Sequence, residues 1–150
     1  MAATTSGAIK ARIESLGLNV PVFRDGPRGG QACPFVVVTE ALSTGMDSGG
    51  NGDFGDPAAV LSIVEKVAVD LMQNARTKAT AATAPNAERY GLAETIAHQL
   101  HGRPLPAHPA KVTAVKVVGI DRFPISDNRV RTSITVEIHR QLLTSEVTPA

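Results

Sequence analysis

Apolar residues along this chain follow two different periods, and the changes from one to the other mark out its elements. Ile9, Ile13 and Leu16 recur at helical spacing. Thr4, Thr5 and Ser6 offer capping oxygens in front of them, and Gly17 suits the left-handed position behind, so the pattern predicts a helix over 5–16. In LNVPVF (18–23) Pro21 pushes Val20, and to a lesser degree Asn19, towards extended geometry, which predicts a short strand at a sheet edge. RDGPRGGQAC (24–33) reads as loop from its glycines and proline. PFVVVTEAL (34–42) is a β-branched run, apolar on both faces through Val38, as an interior strand requires. Residues 43–57, STGMDSGGNGDFGDP, show no period and predict a long loop.

Over 59–75 the local rules conflict. Val60, Leu61, Val64, Val67, Ala68, Leu71 and Met72 form a helical stripe, yet Val67, Val69 and Leu71 also alternate as a strand. Periodicity alone favours helix here. RTKATAATAP (76–85) is an Ala/Thr-rich connector, and Asn86 can cap a following helix. In that helix Tyr90, Ala93, Ile96, Ala97 and Leu100 would be buried, while Glu88, Arg89, Glu94 and Gln99 would face water. KVTAVKVVGID (111–121) and RVRTSITVEIHR (129–140) read as strands joined by a hairpin loop, RFPISDN. In the second, Val130, Thr132, Ile134, Val136 and Ile138 alternate with polar residues, as in a half-buried antiparallel strand.

Composition narrows the range of functions. A chain of 150 residues is most simply one domain with a core large enough to need no staples, here 1–150 with 1–6 and 142–150 expected as flexible tails. Cys33 is the single cysteine, so an internal disulfide is excluded, which fits a reducing compartment. MAATTSGAIK lacks the apolar core of a signal peptide, and no apolar run approaches the ~20 residues of a membrane span, so a soluble protein made in the cytoplasm is expected. With 15 Lys+Arg against 14 Asp+Glu there is no global field to attract nucleic acid or an anionic membrane. The absence of tryptophan and a single tyrosine leave few faces for stacking bases.

Several stretches invite a chemical reading. AHQLHGRPLPAHP (97–109) holds three of the four histidines, and His98 and His101 stand at i and i+3. No Glu lies between them in the HExxH manner, and a third ligand would have to be His108, beyond two prolines. Helix termination explains the same residues: a cation-capable side chain at the last turn, Gly102 at the left-handed position and Pro104 to stop the helix. GNGDFG places Gly50, Gly52 and Gly55 in a GxGxxG spacing, but no strand directly precedes it, and Asp53 and Asp56 would repel a pyrophosphate. As a calcium loop starting at Asp47 it has Gly49 at position three and Ala58 at position twelve, where carboxylates are needed. Cys33, next to Pro34, has no local base to make it a nucleophile. Arg24 and Arg28 in one loop, with Arg129 and Arg131 on one strand face, could form a basic strip able to touch phosphate, although a solvated sheet face explains them as well. No catalytic set is expected, and no cofactor or metal.

Taken in order, ESLGLNVPVF (14–23), PFVVVTE (34–40), VAVDLMQNAR (67–76), AETIAHQLHGRPL (93–105) and RTSITVEIHRQ (131–141) resemble the tail terminator and minor tail protein family of long-tailed bacteriophages. The resemblance runs from about Ile9 to Arg140 and rests on element order and short phrases. In the family the segment matching 67–72 is a strand, often ending in an aromatic where this chain has Met72. On that ground 61–73 is expected to be a strand. The resemblance implies an α+β protomer with an antiparallel sheet of about four strands and two helices packed against it. It also implies a hexameric ring in the virion, assembled in the host cytoplasm. Such a ring caps the tail tube, stops its polymerisation and docks it to the head completion proteins, with DNA passing through the lumen and no enzymatic step. Arg24, Arg28, Met46, Phe54, Arg129 and Arg131 are the expected partner and ring contacts. Two other roles fit the same pattern: a head–tail connector or stopper subunit, and a small ligand-binding regulatory domain with the glycine loop as a lid.

Overall fold

The computed structural model describes residues 4–26, 34–40, 43–47, 62–74, 91–126 and 129–142. The elements are α1 (Thr5–Glu14), β1 (Val22–Arg24), β2 (Phe35–Val38), β3 (Ser43–Asp47), β4 (Ser62–Asn74), α2 (Leu92–Leu100), β5 (Val112–Ser126) and β6 (Arg129–Gln141). The class is α+β, but the sheet is larger than the expected four strands and is mixed. Its main path is β1-β2-β4-β6-β5, and β3 pairs with β4 off this path. β1 runs parallel to β2, while the other pairs are antiparallel.

The long strand β4 organises the sheet. It pairs with β6 along its whole length, from Ser62 opposite Gln141 to Asn74 opposite Arg129. On its other flank β2 takes Val69 to Met72 and β3 takes Ser62 to Lys66, so two short consecutive strands share one side of one long one. Over Ser62–Asn74 the helical stripe is therefore not used. In a strand the same residues place Val67, Val69 and Leu71 on one face, all buried, and that face meets both helices.

The register sorts every strand into two faces. Val22, Val36, Val38, Val67, Val69, Leu71, Val115, Ile134, Val136 and Ile138 lie under the helices, packed with Ala8, Ile9 and Ile13 of α1 and Leu92, Ala93, Ile96, Ala97 and Leu100 of α2. α1 covers the β1–β2 side and α2 the β5–β6 side. Arg12 ties the two helices by donating to the Gln99 carbonyl (3.2 Å) and to its side-chain oxygen (3.3 Å). Gln99, expected to face water, is thus half-buried.

Local chemistry explains the element ends. Thr4 caps α1 by accepting from the Gly7 N–H at 3.1 Å. The helix starts at Thr5, where the pattern predicted it, and buries Thr5 and Ser6. Thr4→Ala should lower stability by about 1 kcal/mol in urea denaturation, the usual cost of an N-cap oxygen. Asn19 adopts φ 57, left-handed instead of extended, because a proline restrains only the residue directly before it and asparagine tolerates this region. α2 is opened by Gly91 at φ 79, while Asn86, Glu88, Arg89 and Tyr90 lie outside the described residues. β5 continues through 122–126, expected as hairpin loop. An edge strand accepts Pro124, and register shifts at Val112/Ala114, Val117/Gly119 and Pro124/Ser126 absorb its irregularities. Likewise 43–47, expected as loop, forms β3.

Candidate functional site

β5 is where this fold is chemically unfinished. It pairs with β6 alone, and it ends the sheet. Among the described residues the large apolar side chains left exposed are Val118 (52%), Ile120 (42%) and Phe123 (43%), all within one stretch of this strand. Arg131 stacks over the Phe123 ring at 4.9 Å from its centroid, a cation–π contact across the β5–β6 pair. An edge strand that shows both backbone groups and apolar side chains is a template for another strand.

The upstream part of the same edge is closed off by the segment joining α2 to β5. The Gly102 N–H donates to the Val115 carbonyl at 2.8 Å, and the Val117 N–H donates to His101 Nδ1 at 3.0 Å. Two residues of the connector thereby occupy the edge positions that a neighbouring strand would take. Between connector and strand lies an open cleft of about 460 Å³, lined in part by His101, Arg103, Thr113 and Lys116. Gly102 at φ 69 turns the chain back over β5, as its helix-ending position predicts.

A buried polar chain anchors the far end of this connector. The Ala110 N–H donates to His108 Nδ1 at 2.9 Å, which leaves the ring proton on Nε2 facing Thr5 Oγ1, also at 2.9 Å. Thr5 in turn donates to Glu65 Oε1 at 2.8 Å, and Arg140 Nε donates to the same oxygen. Glu65 and Arg140 are 8% and 7% exposed. On the other side of α1, Ser6 donates to Glu40 Oε1 at 2.7 Å and Arg24 donates to the same oxygen at 3.2 Å. The first turn of α1 has no acidic residue of its own. Glu65 and Glu40 arrive from elsewhere in the chain to supply negative charge at its positive end.

The expected contact residues do not converge. Arg24 is at the end of β1, in register with Val38 on the helix-covered face, where Glu40 pairs with it. Arg129 and Arg131 are exposed on the opposite face, in register with Asn74 and Met72 and three strands from Arg24, so one continuous basic strip is not formed. That face is of mixed charge: Lys66, Glu137 and Lys116 align across three strands, and His139 Nε2 lies 2.7 Å from Glu137 Oε1. Asp70 Oδ1 on it is buried without a hydrogen-bond partner, a single atom that defines no ligand site. Met46 is on β3 opposite Ile63. Arg28, Cys33, Phe54 and the glycine positions 50, 52 and 55 lie outside the described residues. Among the described residues no group of three or more His, Cys, Asp or Glu could hold a metal. His98 is exposed on α2, while His101 and His108 are engaged with backbone N–H groups. No helix of the described residues is long and apolar enough to cross a membrane.

Sequence reasoning missed the β5 edge because Val118, Ile120 and Phe123 had been divided between a strand and a loop. The signal was present in VVGIDRF, an apolar run broken by Gly119 and a charged pair.

No family model matches the sequence, and no curated protein is significantly similar to it. The fold is nevertheless shared. The chain is similar to one from the virion of a native gene transfer agent (GTA) particle, with a TM-score of 0.65 and 13% sequence identity, over 92% of this chain and 95% of that one. At that identity the likeness establishes the architecture alone.

Proposed function

We propose that this protein is a structural component of a phage-like virion, and specifically a tail terminator. Copies of it close into a ring, expected to be a hexamer, that caps the tail tube, stops its growth and joins it to the head completion proteins while DNA passes through the lumen. The observation that carries this reading is the exposed apolar edge of β5, on a fold similar along nearly its whole length to that of a chain in an assembled virion. A sheet with two unlike edges suits a head-to-tail ring, in which β5 of one copy meets the β1 and β3 side of the next. Closure then removes the free edges that would otherwise pair without limit. In such a ring Phe123 with Arg131 and Arg129 would approach the interface from one copy, and Arg24 and Met46 from the other. Arg28 and Phe54 belong to the same proposed contact set. The work is done by shape and pairing, with no reactive group, cofactor or metal.

The test uses the full chain with tail tubes, by light scattering and electron microscopy. Rings at tube ends and tubes of limited length support the reading. Val118→Lys together with Ile120→Lys should abolish ring formation while changing monomer stability by no more than about 0.5 kcal/mol each, as for exposed positions. Tubes that outgrow their normal length in the presence of the unaltered protein, with no ring at their ends, would remove the terminator role. Rings bound to the head-side connector and not to the tube would assign the chain to the connector.

A further inference from the structure

The connector between α2 and β5 is held to the strand at its start by an imidazole lone pair, while buried Leu105 and the Gln141 N–H on the Lys111 carbonyl hold the remainder. His101 Nδ1 accepts from Val117 of β5, and His108 Nδ1 accepts from Ala110 within the connector. A backbone N–H cannot bond a nitrogen that already carries a hydrogen, so both contacts exist only while the rings are neutral. We infer that the start of this connector, residues 101–104, is a strap latched by His101 that guards the β5 edge near neutral pH and releases it on acidification, while Leu105 and Lys111 keep the rest of the connector in place. Release would return the Val115 carbonyl and the Val117 N–H to the outside of the sheet. The pairing edge would then be lengthened from Val118 back to Val115.

Each ring has charged and titratable neighbours. His101 is exposed, and it shares its cleft with Arg103 and Lys116. His98 and Glu94 lie on the exposed side of the adjoining helix. His108 meets the Thr5 hydroxyl of α1, behind which Glu65 of β4 is matched by Arg140 of β6, and Lys111 follows on the strap itself. A protonated His108 would present a hydrogen to Ala110 and would still face Thr5, whose own hydrogen is given to Glu65. The first contact is therefore the one lost. Because the open strap binds more protons than the closed one, closure is favoured as pH rises and is lost as pH falls through the imidazole range of about 5 to 8. The equilibrium shifts by up to about tenfold per pH unit for each ring that must charge. This reading stands independently of the terminator role.

Hydrogen–deuterium exchange of the full chain at about pH 7.5 and about pH 5, corrected for intrinsic rates, tests it over the imidazole range. Protection should fall at the lower pH in 101–104 and 115–118 by tenfold or more, while 130–140 of β6 stays protected. His101→Asn with His108→Asn keeps an acceptor oxygen where each Nδ1 stood and cannot titrate, so the pH step should vanish in that variant. Should the double variant not fold, His101→Asn alone, at an exposed position, should abolish the step at 101–104 and 115–118. The inference is overturned if the unaltered chain shows no step, or if the step persists in the asparagine variants.

Discussion

Glu65→Ala should cost about 3–5 kcal/mol of folding stability, the range for removing one partner of a buried ion pair. The side chains of Glu65 and Arg140 are 11% and 8% exposed, so neither group has water to replace the other. The same substitution takes the acceptor from the Thr5 hydroxyl and loosens the chain of bonds that reaches His108. Replacing both partners with apolar residues, Glu65→Leu with Arg140→Met, should recover most of that loss, because no buried charge is then left to solvate. Urea denaturation at a fixed pH measures both. A cost below about 1 kcal/mol for Glu65→Ala would mean that the pair behaves as an exposed one. The pair Lys10–Glu14, with side chains 32% and 49% exposed, is the internal control: Lys10→Ala should cost no more than about 0.5 kcal/mol.

Leu100→Ala should be destabilising by about 2–5 kcal/mol, as expected for a fully buried leucine. Leu100 is 0% exposed at the end of α2, in the cluster that joins both helices to β6. Alanine is the better helix former, so helix propensity opposes the loss and the whole cost falls on packing. Since α2 leads directly into the connector over β5, the variant should also expose 101–112 to exchange at neutral pH. A denaturation midpoint within error of the unaltered protein would show that α2 is not part of the cooperative core.

Where a single rule governed a segment, the sequence was legible. β6 alternates without exception from Val130 to Ile138, and it appears as a strand over Arg129–Gln141 with its apolar face inward. α1 and β2 follow from a capped helical stripe and a β-branched run. Two rules competed in 59–75. Pattern alone named a helix there; the family resemblance named a strand over 61–73, and Ser62–Asn74 is a strand, because β2, β3 and β6 all supply partners for its backbone. Strand 43–47 and the tail of β5 were not legible. Ser43–Asp47 carries no apolar alternation and is recruited by the half of β4 that β2 leaves unpaired, and 122–126 extends only because β6 lies alongside. The histidines were read as helix punctuation. His101 does end α2, yet its second role and the whole of His108's depend on backbone groups that the fold brings to them.

By itself, the sequence determined the class of the fold: helix and strand segments of known period, with one cysteine and balanced charge. Those properties are local or additive, and each residue carries its share whatever its neighbours do. Tertiary structure decided the parallel β1–β2 pair, the broken flank of β4, the meeting of Thr5, Glu65 and Arg140, and the identity of the free edge. Each of these depends on which distant backbone hydrogen bonds are satisfied and which charges leave water together. Such choices belong to the closed chain, because an unpaired N–H or an unmatched carboxylate acquires its cost only once a neighbour has taken the solvent away.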